Sequence, residues 1–135
     1  MGILWIFGEK ACEGKDRTVK VMIVLNDAPY GSEKAFNALR LARFLQGQEK
    51  GLELRIFLLQ DGPYCALPNQ EPPSGFYNVA DMLKRAIDAG AIVEACGTCA
   101  GARGLKGVKL IDGVNITSIR RMAEWTIDSD HVITF

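Results

Sequence analysis

Cys96 and Cys99 stand three residues apart in the segment Cys96-Gly97-Thr98-Cys99-Ala100-Gly101-Ala102-Arg103-Gly104. Such a pair can hold a metal, cycle between dithiol and disulfide, or present one thiolate as a nucleophile or carrier. A structural zinc site needs four ligands, often two such pairs. The other candidates, Cys12, Cys65 and His131, are scattered and unpaired, so no metal is expected. A thioredoxin-type pair follows an early strand and opens a long helix. This one lies beyond residue 95 and runs into glycines, which leaves reversible redox chemistry open but not that fold. The third reading is a sulfur carrier, because a thiolate that accepts sulfane sulfur holds it as a persulfide. Such a cysteine needs access and nearby positive charge or backbone N–H groups. Arg103 follows Cys99 by four residues. A helical turn opening over Ala100–Gly104 would aim free N–H groups at the Cys99 sulfur, and Gly97, Gly101 and Gly104 would let backbone approach closely. Against all three stands the buried thiol acting as a small hydrophobe. That reading is favoured for Cys12 and Cys65; at Cys99 the glycine-rich setting favours function.

These residues must be positioned by regular elements. Val21–Leu25 is a continuous apolar run, as expected of a strand covered on both faces. Turn residues Asn26–Gly31 follow, and Ser32 can cap a helix whose apolar stripe is Ala35, Ala38, Leu39, Ala42 and Leu45. Leu52–Leu59 reads as a second strand, stopped by Asp61-Gly62-Pro63. Four of the five prolines make regular structure improbable up to about Gly75. Val79, Met82, Leu83, Ala86 and Ile87 then form a helical stripe, with Asn78 as cap and Gly90 as stop. Ala91–Ala95 is a third strand that delivers Cys96 at its carboxyl end. Val108–Ile111 is the candidate fourth strand, Thr117 or Ser118 opens a last helix, and His131–Phe135 forms a closing strand. Alternating strands and helices predict an α/β fold with a mostly parallel sheet and helices on both sides. Sites in such sheets gather beyond the carboxyl ends of strands. This selects the loops that begin near Asn26, Asp61 and Cys96. Asn26 and Asp27 can line such a pocket or serve as turn formers and helix-start acids. His131, the sole histidine, begins a strand and gives no Cys-His or Ser-His-Asp arrangement.

The whole chain bounds what this loop can serve. The sequence has 135 residues, 48% of them hydrophobic and 24% charged, which suits one globular domain. Sixteen Lys and Arg balance sixteen Asp and Glu. Nucleic acid is therefore disfavoured as the main partner, and self-association is not opposed by net charge. The apolar run Ile3–Phe7 is far shorter than the about 20 residues that span a bilayer, so no membrane partner and a cytoplasmic location are expected. Residues 1–18 show no clear period and read as an N-terminal extension to a single domain over 19–135.

The pattern Cys96-Gly97-Thr98-Cys99 followed by Arg103-Gly104, after a third strand, resembles the DsrE/DsrF-like family. Met122-Ala123-Glu124-Trp125 and Asp130–Phe135 are similar to that family's last helix and strand, and Gly75-Phe76-Tyr77-Asn78 leading into Met82-Leu83 is similar to its middle segment. The resemblance spans Lys20–Phe135 and is at least as great to the small single-subunit members, many of which have no assigned reaction, as to the dedicated sulfur-relay subunits. It implies a three-layer α/β/α domain around a five-stranded parallel sheet, assembly into homotrimers or homohexamers, no cofactor, and a role in intracellular sulfur transfer with donor and acceptor proteins. Relatives among the TusD and DsrE subunits carry a persulfide in the loop after the third strand. That loop corresponds to Cys96–Gly104, with Cys99 as carrier, Cys96 as resolving or structural partner, and Arg103 beside the thiolate. The competing expectation is a non-catalytic oligomeric or redox-responsive protein. In that reading Gly97, Thr98, Gly101 and Gly104, with Asn26 and Asp27, hold a small anion.

Overall fold

The computed structural model describes residues 17–48 and 51–135. Cys12 and most of the expected 1–18 extension lie outside the described residues. Five strands, β1 (Val19–Leu25), β2 (Leu52–Leu58), β3 (Ile92–Cys96), β4 (Val114–Thr117) and β5 (His131–Thr134), form one sheet in the order β4-β3-β2-β1-β5. Every pairing is parallel. The helices are α1 (Lys34–Gln46), α2 (Val79–Asp88), α3 (Gly97–Ala102) and α4 (Ile119–Asp128), with a 3-10 turn at Gly62–Ala66. Among the described residues no helix is long and apolar enough to cross a membrane.

The strand order decides which face each helix covers. From β1 to β4 the chain always steps in the same direction across the sheet. Right-handed crossovers therefore place α1 and α2 on one face. The step from β4 to β5 runs back across the whole sheet, so α4 crosses the opposite face. The two cores agree. Val21, Ile23, Leu25, Ile56 and Leu58 pack beneath Ala38, Leu39, Val79 and Leu83 on the α1/α2 side. Met22, Val24, Phe57 and Cys96 pack with Trp125 of α4 on the other, with Cys99 and Met122 at their margin. Phe57 and Trp125 meet edge to face, centroids 6.1 Å apart, a favoured aromatic geometry. The loop cysteines thus belong to the thinner layer.

Local chemistry explains the helix starts. Asn78 accepts a hydrogen bond from the Asp81 N–H at 3.0 Å, the expected cap of α2. Gly90, one residue beyond the cap residue Ala89, takes φ +106°, a left-handed value suited to glycine. Ser32 accepts from the Lys34 N–H at 3.2 Å, and α1 itself begins at Lys34 rather than at Ser32. The expected fourth strand is displaced. Leu110 and Ile111 are buried, but in an irregular segment whose Ile111 N–H donates to the Ala66 carbonyl. A turn at Gly113 (φ +97°) separates it from β4, where Val114–Thr117 pairs with β3.

Candidate functional site

Beyond the carboxyl edge of the sheet, three loops are tied together by hydrogen bonds. The Asp61 N–H donates to the Asn26 carbonyl at 3.1 Å, the Leu59 N–H to the Leu25 carbonyl at 2.9 Å, and the Asn26 N–H to the Phe135 carbonyl at 3.0 Å. These bonds join the loops after β1 and β2 to the end of β5, and the loop after β3 joins them through the Gln60 N–H at the Cys99 sulfur and through Arg103, which donates to Asp61. Asn26 also donates from Nδ2 to the Phe135 carbonyl at 3.1 Å, fastening the end of β5, while its buried Oδ1 has no partner among the described residues. Asp27 accepts from the Ser32 hydroxyl, and its carbonyl accepts from the Cys65 thiol. Asn26 and Asp27 therefore serve the turn after β1 in this protomer.

Cys96 closes β3 and acts as the N-cap of α3. Its Sγ accepts from the Cys99 N–H at 3.4 Å. Gly97 makes this tight junction fit, since a Cβ there would lie 3.0 Å from the Thr117 carbonyl oxygen on neighbouring β4. The helix thus starts at Gly97, three residues before the expected turn, and the freed amide of Cys99 meets the Cys96 sulfur. The N–H directed at the Cys99 sulfur comes from another loop: Gln60 N lies 3.2 Å from Cys99 Sγ. Gln60 holds φ +52°, a left-handed conformation that costs a non-glycine residue about 1 kcal/mol. Its contribution is a backbone group, and residue type carried no signal for it. The turn signal Asp61-Gly62-Pro63 marked its location alone.

Arg103 reaches the same place. Its Nε donates to Asp61 Oδ1 at 2.6 Å and its Nη1 to the Cys99 carbonyl at 3.1 Å. The guanidinium is thereby fixed beside Cys99, in contact with its backbone rather than its sulfur. Gly104 takes φ +73° just after α3, whereas Gly101 faces open space and Thr98 is exposed.

The Cys99 thiol is held above its usual range. Burial is the first cause and the hydrogen bond with the Cys96 thiol the second; the Gln60 N–H and the Arg103 charge act in the opposite direction without prevailing. The Cys99 group is a half-buried thiol whose surroundings on balance oppose ionisation, although the Gln60 N–H and Arg103 favour the anion as the sequence led us to expect of such groups. Cys65 differs in kind. It is fully buried, and burial pushes its thiol up to about 12. It is a packing residue, as its plain sequence context suggested. Among the described residues no three His, Cys, Asp or Glu side chains gather at metal-binding distance.

The model of the DsrE/DsrF-like family matches residues 19–135. The chain belongs to this family. Protein YchN of Escherichia coli is 45% identical over 116 residues, which are 86% of this chain and 98% of that protein. A Methanocaldococcus jannaschii protein, Uncharacterized protein MJ0989, is 41% identical over 117 residues, 87% of this chain and all of its own length. The crystal structure of the E. coli ychN protein superimposes with a TM-score of 0.83 at 44% identity, covering 87% of this chain and the whole of the other. The three-layer α/β/α architecture with a five-stranded sheet is thus that of a DsrE-like protein. The family match supports a role related to sulfur relay.

Proposed function

We propose that this DsrE/DsrF-like chain is a cytoplasmic sulfur-handling protein that carries sulfane sulfur as a persulfide on Cys99 and passes it on by thiol exchange. The supporting observation is the setting of Cys99: a half-buried thiol in the first turn of the helix that follows β3, with the Gln60 N–H 3.2 Å from its sulfur and Arg103 locked beside it by Asp61. An N–H donor and a fixed cation both favour the anion that attacks a sulfur donor. The buried apolar neighbours limit access by water. The surrounding loop residues Gly97 and Gly104 shape the backbone, and Arg103 positions the loop and adds charge.

The persulfide is formed when the Cys99 thiolate attacks the outer sulfur of a donor persulfide and the donor thiolate departs. It is passed on when an acceptor thiolate attacks the outer sulfur and Cys99 leaves. The test is intact mass after incubation with a sulfane-sulfur donor. Wild type is expected to gain about 32 Da, reversibly with reductant, and Cys99→Ser to gain nothing. Equal uptake by Cys99→Ser would overturn the assignment.

Self-assembly belongs to the same reading. One helix, α4, crosses the face of a five-stranded sheet, and Ile119 and Ile127 of that helix and Val132 of β5 are left exposed. The proposed occupant of this face is a further copy of the chain, in a homotrimer or homohexamer.

A further inference from the structure

We propose that Cys96 is the resolving thiol of this site: it attacks the sulfur of Cys99 when that sulfur carries a persulfide, releases sulfide, and leaves a Cys96–Cys99 disulfide. The inference rests on the persulfide reading above. It adds a second outcome, release in place of transfer.

The geometry comes from the start of α3. Cys96 is the N-cap and Cys99 the third helical residue. Side chains at these two positions face each other across the first turn, as they do in a capping box. Here the Cys96 sulfur accepts the Cys99 N–H at 3.4 Å, which places it against the turn that carries the Cys99 side chain. Neither is oxidised in this structure. Access divides the roles. Cys99 is partly exposed and can meet a donor, whereas Cys96 is only 4% exposed and sits in the core beside Phe57 and Trp125. A donor protein cannot dock on Cys96. What Cys96 can reach is the sulfur of Cys99, from inside. Cys65 cannot take this part, because it is buried in the core on the opposite sheet face and bonded to the Asp27 carbonyl.

The step balances without an outside oxidant. The Cys96 thiol loses its proton and its sulfur attacks Cys99 Sγ. The bond from Cys99 Sγ to the outer sulfur breaks, and that sulfur leaves as sulfide, taking the proton. Two electrons pass to the outer sulfur, and the two cysteine sulfurs become a disulfide. A reducing thiol then resets the pair. In transfer to an acceptor, by contrast, the outer sulfur is attacked and Cys99 returns directly as a thiol. A loaded protein that meets no acceptor therefore empties itself and is marked by its disulfide.

The experiment loads wild type, Cys96→Ser and Cys96→Ala with a low-molecular-weight sulfane-sulfur donor, removes the donor, and follows free sulfide and intact mass together. Serine is a preferred N-cap, so Cys96→Ser keeps the helix start, and Cys96→Ala controls for the serine hydroxyl. Wild type is expected to release sulfide while its mass falls from about 32 Da above the reduced chain to about 2 Da below it. Both variants are expected to keep the added sulfur at least about tenfold longer and never to show the lighter species. Discharge of a Cys96 variant at the wild-type rate, or sulfide release from wild type without the disulfide, overturns this inference and leaves the carrier reading intact. Failure of wild type to load at all overturns both.

Discussion

At Cys99, neighbours pull the thiol's ionisation in opposite directions, and their balance can be measured. Burial and the Cys96 thiol raise its pKa, while the Gln60 N–H and the Arg103 charge lower it. The midpoint for alkylation of Cys99 is therefore expected above the ordinary cysteine value of about 8.5. Arg103→Ala removes a cation that stabilises the thiolate, so the midpoint moves higher still. Cys96→Ser removes a neighbour that opposes ionisation, so it moves lower. The check is iodoacetamide reaction rate against pH, read on the Cys99 peptide by mass; a wild-type midpoint near neutrality would contradict the balance described. The reactive pair was legible in the sequence, because spacing and glycines survive as letters. The Gln60 N–H was not, since every residue but proline has one. Nor was the direction of the shift, which depends on how deeply the turn of α3 sinks beside Phe57.

The Gln60 amide is held in place by its element, and the hinge of that element is Gly62. A Cβ there would collide with the Leu25 carbonyl oxygen and crowd Leu58. Because the obstacle is backbone in the middle of the core, Gly62→Ala is expected to destabilise the protein by at least ~3 kcal/mol. In whatever fraction still folds, the loop that aims Gln60 at Cys99 shifts. Denaturant melts test the first effect, and Cys99 alkylation in the folded protein tests the second. The far edge of the sheet depends on Asp130, which accepts the Lys20 N–H at 2.8 Å and pairs with Arg17, latching β5 onto β1. The Lys20 N–H, and then Arg17, hold its carboxyl below the usual carboxylate range. Its stabilising effect is therefore complete above the unfolded carboxylate pKa of about 4 and disappears as pH falls through the lower folded value. Asp130→Asn is expected to melt below wild type at neutral pH, with the gap closing toward about pH 2; a gap independent of pH would show that the carboxylate charge is not what latches the strand. Sequence reading located the strands around these two points but misplaced the fourth. Val108–Ile111 and Val114–Thr117 are both short apolar runs, and periodicity does not distinguish a buried loop from a paired strand at that length. The hydrogen bond from Ile111 to Ala66 makes the distinction, and it joins residues far apart in the chain.

Alternation of strands and helices made the α/β class readable, whereas strand order was not. All five strands are short and apolar enough to sit beside any other, and the β1–β5 pairing is selected only once α4 crosses the sheet. That crossing bears on the proposed self-assembly. A single ten-residue helix cannot cover a face that the other side fills with α1, α2 and the 3-10 turn. On α4, Ile127 is 88% exposed and Ile119 60%, and exposed large aliphatics on one helix mark contact surfaces in soluble proteins. Cys96 and Cys99 pack in this same thin layer, so a copy docked on α4 would border the sulfur site and restrict access to it. Ile119→Lys with Ile127→Lys places charge on that surface while touching nothing in the protomer core, so the protomer's own stability is expected to change by less than about 1 kcal/mol. Wild type is expected to sediment as a trimer or hexamer at micromolar concentration and the double variant as smaller species with unchanged circular dichroism. Exposure of Cys99 should follow the assembly: if the copies border the site, dissociation speeds its alkylation at fixed pH. A wild-type chain that sediments as a monomer at those concentrations would remove α4 as an interface and return its isoleucines to the ordinary apolar fraction of a protein surface.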